Sequence, residues 1–111
     1  MTVPTAAELL AHMHEAASQA LIYTEGLAKE DFLADKRTQQ AVILNLIILG
    51  EAATKLMDHH PAFCEANPGI EWRSMRGMRN RIAHGYYDIN LDVVWETVSS
   101  TLPELVERLA N

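Results

Sequence analysis

One segment, residues 36–57, limits what this chain can fold into more than any other. Large aliphatic side chains point to nearly every side of a helix built from it: Val42, Ile43, Leu44, Leu46, Ile47, Ile48 and Leu49. A helix that is apolar on most of its circumference is buried on most of its circumference. A chain of 111 residues has room for one core only, so we expect a second copy of the chain to cover part of this helix. The segment therefore predicts a central core helix and a homodimer.

The N-terminal segment has the pattern of a capped amphipathic helix. Thr5 followed by Glu8 is typical of a capping box, in which both side chains satisfy free backbone N–H groups. Apolar residues then recur at three- and four-residue steps, which predicts a helix that runs to about Gly26. Residues 29–35 are expected to form a short connector.

Two more helices are predicted in the second half of the chain. One begins near Glu71 or Trp72 and stops at Gly85, because glycine is preferred just beyond a helix C-terminus. The other is capped by Asn90, and its apolar stripe keeps its phase over residues 91–109. Pro103 interrupts helical hydrogen bonding, so we expect either one kinked helix or two nearly collinear pieces.

Strand-like alternation, internal repeats and domain linkers are absent from the sequence. The predicted fold is therefore all-α: a small antiparallel bundle of four to five helices, with residues 1–111 forming one domain. The longest apolar run falls well short of the ~20 residues that a membrane-spanning helix needs. The N-terminus has no basic stretch followed by an apolar core, as a signal peptide would. We therefore expect a cytoplasmic protein without a membrane partner.

Charge and cysteine content exclude further classes. Nine Lys and Arg against fifteen Asp and Glu give a net charge of −6, which disfavours a protein that coats nucleic acid by bulk positive charge. The single cysteine, Cys64, excludes an intrachain disulfide and is expected to be a small buried apolar residue. His12 and His14 lie about 200° apart on a helix, and His59 and His60 are expected at the surface. We therefore predict no metal and no cofactor.

Positive charge is concentrated between residues 72 and 87. Four of the nine basic residues lie there, with no acidic residue before Asp88: Arg73, Arg76, Arg79 and Arg81. At about 100° per residue, one side of this helix is apolar and carries Met75, Met78 and Ile82. The opposite side carries Arg73, Arg76, Asn80 and His84, with Arg79 on its flank. Because arginine donates two parallel hydrogen bonds to phosphate, this strip is either a local anion site or an ordinary solvated face.

Several stretches of the chain are similar to one known family. Arg79-Asn80-Arg81-Ile82-Ala83-His84 resembles the motif of the HEPN superfamily, an arginine and a histidine a few residues apart. The extension His84-Gly85-Tyr86 resembles the His-x-Tyr form of its HepT toxin branch. Residues 35–42, 49–53, 95 and 102–105 agree with that branch in the same order, so the similarity covers nearly the whole chain.

The resemblance implies an all-α, HEPN-like fold and a toxin of a type II toxin–antitoxin system. Such a toxin is a metal-independent endoribonuclease, and its dimer lines a shared cleft with two copies of the motif. By this resemblance, His84 is the general acid or base, Arg79 stabilises the scissile phosphate, and Asn80 orients it. The neighbouring Arg73, Arg76 and Arg81 are expected to bind the RNA substrate. The RNA 2′-hydroxyl is the nucleophile, so the product is a 2′,3′-cyclic phosphate and DNA is spared.

The same resemblance implies a protein partner. In the HepT branch the antitoxin, MntA, is a minimal nucleotidyltransferase that transfers AMP from ATP to the motif tyrosine, here Tyr86. Tyr87, the next residue, is the alternative position for the AMP group. The competing interpretation is that Tyr86 or Tyr87 simply packs as a loop aromatic.

The sequence leaves two further questions open. Glu51, in an otherwise apolar helix, either pairs with Arg79 at the cleft or is a surface charge. The whole chain is either the ribonuclease that the resemblance implies or a non-catalytic HEPN module. Such a module would bind nucleotide or RNA phosphate and partner a minimal nucleotidyltransferase.

Overall fold

The computed structural model describes residues 2–110, and every regular element among them is helical. The helices are α1 (Ala6–Thr24), α2 (Lys29–Ala34), α3 (Lys36–His59), α4 (Pro61–Ala66), α5 (Trp72–His84), α6 (Leu91–Glu96) and α7 (Leu102–Leu109). A 3-10 turn (Tyr86–Asp88) follows α5, and a π-helical segment (Thr97–Thr101) joins α6 to α7. The predicted all-α bundle is confirmed, with α2 and α4 as short helices beyond the predicted ones.

The N-terminal cap forms in part as predicted. The Thr5 hydroxyl accepts the Glu8 backbone N–H at 3.1 Å and lies 3.2 Å from the Glu8 carboxylate, to which it donates. Helix α1 ends at Thr24, and the chain reverses at Gly26, whose φ of 79° suits glycine.

The connector predicted over residues 29–35 is wrong, because residues 29–34 form helix α2. The Asp31 carboxylate accepts the Ala28 backbone N–H at 2.9 Å and so satisfies a free group at the start of this helix. Phe32 is fully buried, and its ring centroid lies 5.4 Å from that of Trp95. One buried aromatic therefore anchors a helix too short to show a periodic pattern.

Helix α3 lies at the centre of the bundle, with α1 and α5 packed against it. Its buried residues are Val42, Ile43, Leu46, Leu49, Gly50, Ala52, Ala53 and Leu56. Its outer face is partly apolar, since Leu44 is 56% exposed and Ile48 is 39% exposed. By length and hydropathy α3 could also span a bilayer, contrary to the estimate from the longest apolar run. That is weak evidence for a membrane, because the core helix of a soluble bundle has the same composition.

The segment after α3 differs from its prediction at one histidine. His60 is not a free surface residue, because its Nε2 lies 2.9 Å from the carbonyl oxygen of Pro4 and the residue is half-buried. This contact ties the start of the chain to the end of α3. Cys64 is buried as predicted, and burial raises the pKa of its thiol.

The C-terminal helix is continuous through its proline but changes its winding there. Asn90 caps it as predicted, since its Oδ1 accepts the N–H groups of Asp92 and Val93. The Leu102 N–H donates to the carbonyl of Thr97, five residues back, which makes the wide turn just before Pro103. A wide turn is one way to accommodate a residue that lacks an N–H and crowds the preceding turn.

Candidate active site on helix α5

Helix α5 presents the predicted apolar side to the bundle. Met75 and Ile82 are buried and Met78 is half-buried. At the first residue of the helix, the buried Trp72 donates its indole N–H to the carbonyl of Asn67 at 3.1 Å. At the last turn, the Gly85 N–H donates to the carbonyl of Arg81 at 3.0 Å. Both predicted ends of α5 are confirmed, and its arginines lie outside this apolar side.

At Gly50, the backbone of α3 packs directly against the side chain of Arg79 on α5. A Cβ atom there would collide with the Cβ of Arg79 and would lie 2.9 Å from the backbone oxygen of Met75. The stem of Arg79 therefore lies directly over Gly50. Sequence reasoning did not single out Gly50 by itself, although an isolated glycine in an apolar helix is a signal of close backbone approach.

Beside that contact, Arg79 pairs with Glu51. The Arg79 Nη1 donates to the Glu51 Oε1 in a close ion pair. The Arg79 side chain is 21% exposed and that of Glu51 is 48% exposed. Glu51 therefore pairs with Arg79, the first of the two possibilities that the sequence left open. Part of its side chain remains exposed to solvent.

A second arginine of α5 also pairs with the outer face of α3. Arg76 Nη2 lies 2.7 Å from Asp58 Oδ1, and the side chains are 35% and 56% exposed. The Nε atoms of Arg76 and Arg79 are both buried and make no hydrogen bond within residues 2–110. Sequence reasoning missed Asp58, although Glu51 and Asp58 are seven residues apart and so share one face of α3.

The remaining polar residues of α5 divide between two surfaces. Arg73, Asn80 and His84 are exposed on the outer ridge of the helix. Arg81 lies on the flank of α5 opposite Arg79, at a groove of about 440 Å³ lined by α5, the π-helical segment and Leu49 of α3. Arg79 and His84 are not hydrogen-bonded to each other within the described residues. The structure thus joins Arg79 to Glu51 and Arg76 to Asp58, and it separates Arg81 from both pairs.

Tyr86 and Tyr87 lie in the 3-10 turn just after His84. Tyr86 is 47% exposed and Tyr87 is 98% exposed, so neither ring is packed into the core. Their ring centroids are 5.8 Å apart in an edge-on arrangement. Both hydroxyls belong to an exposed turn beside the ridge, which makes Tyr87 a natural control for any modification of Tyr86.

Side chains suited to metal binding are scattered over the described part of the chain. Residues 2–110 contain no group of three His, Cys, Asp or Glu positioned to hold a metal ion. The groups that converge on α5 are instead guanidinium, carboxylate, amide and imidazole. Such a set can bind an anion and transfer a proton, which are the two requirements for phosphodiester cleavage by an internal hydroxyl.

The fold and this site define a helical protein with a basic strip that carries a single imidazole. Comparison with known families is in accord: the family model "Ribonuclease HepT-like" matches residues 13–111. The chain therefore belongs to the HepT-like ribonuclease family, and the predicted resemblance is confirmed.

Named relatives agree with this assignment. "Probable ribonuclease HepT" of Thermococcus cleftensis is 40% identical over 83 residues, which cover 75% of this chain and 73% of that protein. "Putative RNase MJ0127" of Methanocaldococcus jannaschii is 31% identical over 87 residues, covering 78% of this chain and 69% of that protein. No solved structure matches the chain significantly.

Proposed function

We propose that this chain is a metal-independent endoribonuclease and the toxin of a type II toxin–antitoxin system. The observation that carries the proposal is Arg79, a half-buried arginine fixed at a helix crossing, on the same helix as exposed Asn80 and His84. Membership of a ribonuclease family supports the same activity. A site for a single phosphate, with no need of overall positive charge, is also compatible with the net charge of −6.

In the proposed reaction the RNA 2′-oxygen attacks the adjacent phosphorus and loses its proton. The bond from phosphorus to the 5′-oxygen breaks, and that oxygen takes up a proton as it leaves. His84 performs one of these transfers, Arg79 stabilises the charge that grows on the phosphoryl oxygens, and Asn80 orients the phosphate. Arg73 and Arg76 hold the flanking backbone, with Arg81 as a further contact from the other flank.

The reaction is proposed to take place in the cleft of a homodimer. Arg79 and His84 make no hydrogen bond to each other within the described residues, and in-line cleavage needs proton transfer on both sides of the phosphorus. A second copy of α5 supplies the missing groups. The exposed Leu44 and Ile48 lie on the outer face of α3 next to Glu51, and they offer an apolar surface for that contact.

The decisive experiment incubates the protein, expressed without a partner, with RNA in EDTA and maps the new ends. We expect cleavage that leaves 2′,3′-cyclic phosphates and that is lost in His84→Ala. The matched control is His12→Ala, since His12 is also exposed but lies on a different helix, α1. A matching DNA oligonucleotide is expected to survive.

Two results would contradict the ribonuclease. Equal cleavage of DNA would exclude a mechanism that uses the 2′-hydroxyl. Absence of cleavage from folded dimers with unmodified Tyr86, with RNA or nucleotide still bound, would favour the non-catalytic module.

The proposed partner is an MntA-like nucleotidyltransferase antitoxin that inactivates the toxin at Tyr86. The phenolic oxygen attacks the α-phosphorus of ATP, pyrophosphate leaves, and the phenol proton is released. A bulky anion at this turn would fill the cleft and compete with RNA for the arginines.

Mass spectrometry after co-expression with the neighbouring nucleotidyltransferase tests the modification. AMP is expected on the parent and on Tyr87→Phe, and not on Tyr86→Phe. Modification that follows Tyr87 instead, or none at all, would overturn this assignment. The RNA cleavage assay does not depend on the outcome.

A further inference from the structure

We propose that Glu51, seated beside Gly50, is a positioning residue that sets the Arg79 guanidinium for the scissile phosphate. The inference rests on the proposed function and gives the carboxylate a defined role in it. Glu51 would act through Arg79 and would not itself touch the substrate.

The first argument is steric. Because Gly50 has no side chain, the Arg79 stem runs across the surface of α3 and not out into solvent. An arginine side chain loses much of its rotamer freedom when it is fixed. Packing over Gly50 removes part of that freedom before any substrate arrives, and a preorganised donor needs no rearrangement during the reaction.

The second argument concerns which donors Glu51 uses. It accepts from Nη1, and Nε is buried without a partner. Nη2 makes no hydrogen bond within residues 2–110, so it is left to donate to a phosphate oxygen from the solvent side. Glu51 therefore holds Nη1, burial closes off Nε, and Nη2 is left as the donor for the substrate.

The third argument is the contrast with the Arg76–Asp58 pair. Both pairs join α5 to the outer face of α3, but Arg79 is less exposed than Arg76, at 21% against 35%. Only Arg79 lies over a glycine of α3 among the described residues. Asp58 therefore serves as a matched control. The Arg76–Asp58 ion pair joins the same two helices, but Arg76 does not pack over a glycine of α3.

The test compares Glu51→Gln, Glu51→Asp and Asp58→Asn in steady-state RNA cleavage. We expect Glu51→Gln to lower kcat by about tenfold to a hundredfold, the range set by loss of positioning, with KM nearly unchanged. Glu51→Asp keeps the charge with a shorter reach and is expected to recover part of the loss. Asp58→Asn is expected to leave kcat within about twofold of the parent, an effect well below 1 kcal/mol.

A second readout does not depend on cleavage. Side-chain ¹⁵N NMR of the arginines reports whether the Arg79 guanidinium is held or rotates freely. We expect a restrained Arg79 in the parent and in Asp58→Asn, and a freely rotating one in Glu51→Gln. If the parent fails to cleave RNA but this pattern is seen, the proposed function fails while the positioning of Arg79 by Glu51 stands.

Three outcomes would overturn the positioning role. A lower KM with unchanged kcat in Glu51→Gln would make Glu51 a competitor of phosphate. Equal losses of kcat in Glu51→Gln and Asp58→Asn would mean that both carboxylates act only through their charge and that neither positions the guanidinium. An Arg79 signal that is unchanged in folded Glu51→Gln would show that the carboxylate does not hold the guanidinium.

Discussion

The two flanks of helix α5 carry the same residue type in different surroundings. On the α3 flank, Arg76 and Arg79 are half-buried and ion-paired, and Gly50 leaves no gap between the helices. On the other flank, Arg81 is exposed at a groove of about 440 Å³ whose far wall includes the π-helical segment. The two flanks differ in pairing: α3 places Glu51 and Asp58 within ion-pair distance of Arg79 and Arg76, whereas Arg81 makes no ion pair within residues 2–110, although Glu71 and Glu104 line the same groove.

The number of arginines on α5 does not by itself describe the site, because their ion-pair partners differ. Two of the four arginines of α5 are neutralised in place by α3, and two remain free of carboxylate partners within residues 2–110. Of the two held arginines, Arg79 is the one placed at the chemical step, which suits a donor whose position does not change as charge develops. A free arginine suits contact with a mobile phosphate backbone, where binding is electrostatic and depends on salt.

The largest expected effect is a difference in RNA cleavage between variants of the two flanks. Arg79→Lys is expected to lower kcat/KM for RNA by about 100- to 1,000-fold, because an ammonium cannot replace a planar donor aimed at the reacting phosphate. Arg81→Lys, on the groove flank, is expected to cost less than about tenfold. Steady-state cleavage of one oligonucleotide by both variants makes the comparison. Equal losses would mean that the two flanks contribute equally to the reaction.

The next effect concerns the apolar outer face of α3. The double change Leu44→Ser with Ile48→Ser is expected to weaken the proposed dimer at least tenfold, because a buried aliphatic side chain contributes about 1.5–3 kcal/mol. Val93→Ser is the control, since Val93 is 53% exposed on the groove flank. Sedimentation equilibrium measures both. A dimer that is lost only in Val93→Ser would move the interface to the groove flank.

A smaller effect tests the close contact itself. Gly50→Ala is expected to lower the free energy of unfolding by about 1–3 kcal/mol, as overpacking does, because the new Cβ meets side-chain and backbone atoms of α5. Gly77→Ala is expected to raise it by up to about 1 kcal/mol, because that Cβ meets only the flexible end of Arg81, at 3.4 Å. Urea denaturation measures the two values. A Gly50→Ala protein as stable as the parent would contradict the close packing of Arg79 over Gly50.

The smallest effect concerns salt. Arg81→Gln is expected to make log K for RNA binding less steep in log salt by about 0.7, the share of one phosphate contact on a single strand. Asp58→Asn is expected to leave the slope steady or steepen it slightly, since Arg76 loses its competing carboxylate. Fluorescence titration across salt concentrations, with an RNA that carries no cleavable 2′-hydroxyl, measures both slopes. A slope that Arg81→Gln leaves unchanged would remove Arg81 from the interface.

Several features were predictable because they are local. The cap at Asn90, the end of α5 at Gly85 and the apolar side with Met75 and Ile82 depend on residues within a few positions of each other. The short helix α2 was not predictable, since six residues show no period and Phe32 is anchored by a distant Trp95. His60 was misplaced for the same reason, because its partner is the carbonyl of Pro4.

The sequence by itself determined the all-α class, the long helices and the gathering of arginine, amide and imidazole on one of them. Only the tertiary structure decided which arginines are held and which are free. Glu51 and Arg79 are 28 residues apart, and Asp58 and Arg76 are 18 apart. Helical periodicity reports which side of a helix is apolar, but it carries no information on which residue of another helix lies opposite. That choice is made where α3 and α5 cross, and a glycine at the crossing brings Arg79 to its carboxylate.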